Sequence, residues 1–76
     1  MSRVIHLVDG RGNSLFDLSD GGYLRVDSPD GDNRIMQCEY IDDTRMRIDG
    51  VEQVIPQFVD MMKAGGMWLR PVGVWG

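Results

Sequence analysis

Polar and apolar positions alternate through most of the first fifty residues, and the period changes once, near Gly50. Val4 to Val8 is a short β-branched run closed by Asp9-Gly10-Arg11-Gly12-Asn13, whose glycines and asparagine tolerate positive φ. This predicts a strand and a turn. Leu15 to Leu18 reads as a second short strand or an ordered loop, and Ser19-Asp20-Gly21-Gly22 is turn chemistry again. From Tyr23 to Asp27 the alternation puts Leu24 and Val26 on one face and Tyr23, Arg25 and Asp27 on the other. Ser28-Pro29-Asp30-Gly31-Asp32-Asn33 suits a hairpin turn, and Arg34 to Ile41 follows as the partner strand with Met36, Cys38 and Tyr40 inward. After Asp42-Asp43, Thr44 to Ile48 alternates once more, with Met46 and Ile48 inward and Arg45 and Arg47 outward. The three strands form a meander.

Beyond Gly50 the apolar positions are Val51, Val54, Ile55, Phe58, Val59 and Met62, the ladder of one helix face. The spacing predicts a helix over about residues 52–64, with Asp49 as N-cap and Gly65-Gly66 as the stop. If it begins nearer Gln53, Pro56 sits in the first turn, where its missing N–H does least harm. Met67-Trp68-Leu69-Arg70-Pro71 reads as a final strand at an edge, because proline cannot serve a central ladder. The expected fold is α+β: a small antiparallel sheet of four to six short strands with one helix packed on one face, residues 1–76 forming a single domain. One short helix cannot cover such a sheet on both sides, so the other face stays wet or finds a partner.

Composition narrows the function classes. Eight Lys and Arg against twelve Asp and Glu give a net charge of −4, the wrong sign for holding bare nucleic acid or an anionic membrane by bulk charge. No run approaches the length of a membrane span, and a start that is charged within nine residues predicts no signal peptide. A lone Cys38 reads as a reduced thiol in a cytoplasmic protein, and one Cys with one His6 cannot build a four-ligand zinc site. No metal or cofactor is expected.

The acid is concentrated. Asp17, Asp20, Asp27, Asp30 and Asp32 stand within sixteen residues against Arg25 alone. One reading is that these carboxylates imitate the phosphates of a nucleic acid and occupy the basic groove of a protein that handles it. The other is that aspartate is a turn residue that bonds nearby amides. The spacing of Asp27, Asp30 and Asp32 lacks the pattern of a calcium loop. His6 and Cys38 are the candidates for nucleophilic chemistry, but Cys38 falls on the inward face, and no enzyme is expected. Gly10-Arg11-Gly12 lacks the following helix of a phosphate loop and reads as a turn. Arg25, Arg45 and Arg47 are expected to pair with Asp27 and Glu39 across the sheet. Met61, Trp68 and Trp75 are an alternative, apolar contact surface, or they are core.

Tyr40-Ile41-Asp42-Asp43, a short strand ending at Gly50, then Gln57-Phe58-Val59, Met62, Gly66 and Arg70-Pro71 resemble a group of small proteins of phages and conjugative elements, in which a Tyr-Ile-Asp-Asp turn precedes one helix. About half the chain takes part in the resemblance. Thr44, Arg45, Val54 and Ile55 stand where aromatic and histidine residues often occur in that group, so no role of those residues carries over. The resemblance implies a mobile-element context, where small acidic proteins act as inhibitors of host defence nucleases, anti-CRISPR proteins among them. The leading expectation is a non-enzymatic interaction module that inhibits a nucleic-acid-handling host protein through its acidic residues. The alternative is a small structural or regulatory domain that self-associates, as a homodimer, through the uncovered sheet face or the Trp68 strand.

Overall fold

A computed structural model describes residues 3–72. The strands are β1 (Val4–Val8), β2 (Ser14–Ser19), β3 (Tyr23–Asp27), β4 (Asn33–Tyr40), β5 (Arg45–Ile48), β6 (Val51–Val54) and β7 (Trp68–Pro71), and the helix α1 (Ile55–Ala64) lies between β6 and β7. The fold is α+β, with every pairing antiparallel. Among the described residues β1 and β2 pair only with each other, while the other five strands form one sheet in the order β6-β5-β4-β3-β7. The main sheet thus falls within the expected number of strands, and the first hairpin stands apart as a second, two-stranded layer.

That separation has a packing reason. α1 has ten residues and so spans about 15 Å, too short to shield five strands. The β1–β2 hairpin covers what the helix leaves. Ile5, Leu7 and Leu18 from the hairpin meet Leu24, Val26, Cys38, Met46 and Ile48 from the sheet and Ile55, Phe58 and Val59 from the helix in one core. Leu24, Val26, Met46 and Ile48 are buried on the face that their alternation predicts.

The helix begins later than its apolar ladder suggests. Asp49 is not a cap: with Gly50 it forms a turn in which both residues have positive φ, 50° and 84°. Such a pair matches the twist of a tight hairpin, so the chain doubles back and Val51–Val54 pairs with β5 as a sheet edge. Val51 and Val54, spaced three apart and in phase with the helix, are therefore exposed strand residues. The helix starts at Ile55 with Pro56 in its first turn and buries Ile55, Phe58 and Val59.

The passage from the small layer to the large one is made at Gly21 and Gly22. Gly21 N–H donates to the Cys38 carbonyl and Cys38 N–H to the Gly22 carbonyl, each at 2.8 Å, so the β2–β3 connection hooks onto β4 before β3 begins.

Candidate functional site

The hairpin and α1 cover one side of the five-stranded sheet. The register fixes what the other side carries. Tyr23 lies beside Gln37, Arg25 between Ile35 and Arg70, Asp27 between Asn33 and Trp68, and Arg47 between Glu39 and Glu52. Residues opposite one another share a face, so these rows line a single surface. Large apolar side chains stand open on it: Tyr23 is 45% exposed, Ile35 57% and Trp68 71%. A soluble surface usually carries such residues singly, and their recurrence across neighbouring strands is the mark of a contact surface.

The charges between them are arranged in pairs, of which Arg47–Glu39 is the cross-strand pair expected, while Arg25 reaches Asp27 along its own strand and Arg45 pairs with Asp42 and Glu52 in place of Asp27 or Glu39. Arg47 lies 3.8 Å from Glu39. Arg45 holds Asp42 at 2.7 Å and Glu52 at 3.0 Å. The Arg45 guanidinium, followed by the Thr44 N–H, draws the Asp42 carboxyl down to about 2. The remaining group is unequal. Arg25 and Arg70, directly opposite one another, both turn to Asp27: Arg25 Nε donates to Oδ1 at 2.8 Å and Arg70 Nε stands 3.1 Å from Oδ2. Oδ2 is screened from solvent and accepts no well-aligned hydrogen bond, so the Arg70 contact is one of charge rather than geometry. Two guanidiniums sharing one carboxylate leave one positive charge over beside Trp68 and Ile35.

The five aspartates of the acidic stretch are dispersed. Asp17, on β2, accepts from His6 Nδ1 at 2.8 Å, both side chains being more than half exposed. Asp20 accepts the Tyr40 N–H at 2.8 Å and serves the β2–β3 turn. Asp27 is taken by the two arginines. Asp30 and Asp32 lie in the β3–β4 turn, where Asp30 accepts the Asp32 N–H at 3.3 Å. β3 separates Asp20 from this turn by about 17 Å. Only Asp30 and Asp32 come together away from a cation, among the described residues. Of the apolar candidates, Trp68 is on the open face, Met61 is exposed on α1 at 57%, and Trp75 lies outside the described residues. Sequence reasoning passed over Ile35 and Arg70. Alternation already placed Ile35 outward, whereas Arg70 acquires meaning only from the β3–β7 register.

Cys38 is fully buried, and its thiol is pushed up to about 11 by burial and then by Asp49, which leaves no thiolate for chemistry at neutral pH. Among the described residues no three histidine, cysteine or acidic side chains converge where they would hold a metal ion.

Asp9 is the one buried charged side chain among the described residues, and it fastens the β1–β2 turn to the helix. Its carboxylate accepts from the Arg11 and Asn13 N–H groups, each at 2.9 Å, and from Lys63 Nζ at 2.9 Å, while Gly10 N–H donates to Asp60 at 2.9 Å. Lys63 above all, then the Asn13 amide, holds the Asp9 carboxyl well below its ordinary range. A carboxyl depressed by folding stabilises fully above its unfolded value, about 4, and loses that contribution as pH falls further. Asp9→Asn is therefore expected to lower the melting temperature at pH 7, with the gap to the natural chain closing between about pH 4 and pH 2. Circular dichroism melts across that range check it; a gap independent of pH would make Asp9 a hydrogen-bonding group alone.

No protein family, characterised protein or solved structure matches the chain.

Proposed function

We propose that this chain is a protein-interaction module that meets its partner with the uncovered face of the five-stranded sheet. The observation that carries the reading is the composition of that face: Tyr23, Ile35 and Trp68 exposed among Arg25, Arg47 and Arg70. Tyrosine, tryptophan and arginine dominate the energetics of protein interfaces, because each offers large contact area with a directional polar group. Their charges are largely balanced on this face, which suits a protein partner better than a polyanion. The buried, protonated Cys38 and the shallow, exposed His6–Asp17 pair favour binding over catalysis.

The acidic inhibitor of a nucleic-acid-handling host protein is a second reading within the same class. It is favoured by the net charge of −4 and by Asp30 and Asp32, which lie together at the β3–β4 turn and make no ion pair among the described residues. The two readings separate on one experiment. Affinity capture from cells would compare the natural chain with an Ile35→Glu/Trp68→Ser variant and an Asp30→Asn/Asp32→Asn variant, with light scattering on each. Loss of the partner by the Ile35/Trp68 variant, by about 30-fold or more in affinity, is the result expected for the sheet face. Loss by the aspartate variant alone would transfer the contact to the acidic turn. A dimer that Ile35→Glu returns to monomer would make the partner a second copy. All four positions are exposed or in a turn, so folding is expected to change by less than about 0.5 kcal/mol.

A further inference from the structure

Among the described residues β7 is an edge of the main sheet and pairs on one side only, with β3. The phase of that pairing can be read from a single bond: Val72 N–H donates to the Tyr23 carbonyl at 3.1 Å. In an antiparallel ladder, alternate residues direct their main-chain groups at the partner. Arg70 and Trp68 therefore bond to β3, while Leu69 and Pro71 turn theirs outward. Proline is tolerated at 71 for this reason, since no ladder bond is asked of its nitrogen. The free edge offers the Leu69 N–H and the Leu69 and Pro71 carbonyls, none of them bonded within the described residues.

Beside this edge lies a groove of about 490 Å³ lined by Leu15 and Phe16 of β2, Lys63 of α1, Met67 just before β7, and Trp68 and Leu69 of β7. β2 approaches β7 without bonding to it, and Leu15, Phe16, Met67 and Leu69 are left partly buried around the gap. The hairpin layer forms an apolar ledge at the rim of the sheet. On the other side of the same edge, Trp68 and Arg70 face outward with the unbalanced positive charge of the Arg25–Asp27–Arg70 group.

We propose that the edge of β7 receives an extended segment of the partner protein as a sixth strand, with apolar side chains on the Leu15–Phe16 ledge and alternate carboxylates towards Arg70. The proposal rests on the reading of the chain as an interaction module and names what its partner presents there. Strand addition supplies main-chain bonds for affinity and alternate side-chain sites for specificity. The two sides of this edge differ in chemistry, so they select a strand whose residues alternate between apolar and acidic. A basic segment would meet the spare arginine charge and be rejected.

The test uses a fluorescein-labelled nine-residue peptide alternating valine and glutamate, a counterpart with lysine for glutamate, and a third that is N-methylated at every residue and can donate along neither side. Each is titrated into the full chain by fluorescence anisotropy, and amide signals are followed by NMR. The valine–glutamate peptide is expected to shift the signals of Trp68, Leu69 and Arg70, to slow exchange of the Leu69 N–H, and to bind about tenfold or more tightly than either counterpart. Arg70→Glu is expected to reverse the preference between glutamate and lysine. Equal binding of the N-methylated peptide, shifts confined to other strands, or no shift at millimolar peptide would each overturn the proposal. If β7 stays unmoved while Ile35→Glu/Trp68→Ser still abolishes partner capture, strand addition falls and the interaction module stands.

Discussion

Leu24→Ala is expected to be among the most damaging single changes in this chain. Leu24 has no exposed surface and sits on β3, an inner strand of the sheet, with Met36 beside it on β4 and Pro71 on β7. Truncation removes buried methyl groups and leaves a cavity that β3, tied on both sides, cannot close, a loss of about 3 kcal/mol. A chain of this size has a total stability of roughly 4–11 kcal/mol. The melting temperature should fall by about 12–24 °C. Ile35→Ala, one strand away on the open face, should change stability by less than about 0.5 kcal/mol. Thermal and urea unfolding of the two variants side by side checks the assignment of faces; equal losses would mean that the open face is covered in the free protein.

Gly22→Ala acts through the backbone. A Cβ at this position would come within 2.8 Å of the Ser19 carbonyl oxygen, a main-chain atom that no rotamer change can move. The same oxygen accepts the Gly22 N–H at 2.8 Å, and the Gly22 carbonyl accepts the Cys38 N–H, so relief of the clash must break a bond that joins the two sheets. The expected loss is about 2 kcal/mol, as for overpacking in a site that cannot relax. Hydrogen exchange should show it locally, as faster exchange of the Cys38 and Gly21 amides than in the natural chain. Unchanged protection there would place the strain elsewhere in the turn.

Much of the sheet was legible in the chain because half-buried strands announce themselves by alternation. Leu24 and Val26, Met46 and Ile48 each point inward as their period requires, and Arg47 finds Glu39 on the neighbouring strand, whereas Arg25 reaches Asp27 along its own strand. Val51–Val54 misled because two valines three apart satisfy a helical period, and nothing local reveals that β5 has a free edge waiting for them. The Asp49-Gly50 pair was the available signal, since it is hairpin chemistry before it is a cap. The placement of the acidic residues was not legible for a different reason. Neighbouring turns in the sequence lie at opposite ends of a strand in space, so a dense run of aspartates became several separate local roles. Arg70 and the Leu15–Phe16 ledge depend on which strand β7 joins, a long-range choice that no window of sequence contains.

That choice also orders events in time. β3 through β6 join successive neighbours by short turns and need little chain closure. β7 is the exception: Asp27 meets Trp68 across roughly forty positions, so this pairing must wait for the helix to form and dock. The last strand to arrive is held by four ladder residues and a half-exposed flank, and it is the first to leave in a partial opening. A partner that binds beside β7 would therefore act as a latch on the longest-range pairing of the sheet, and the open population would fall by the factor 1 + L/Kd, with L the free partner concentration.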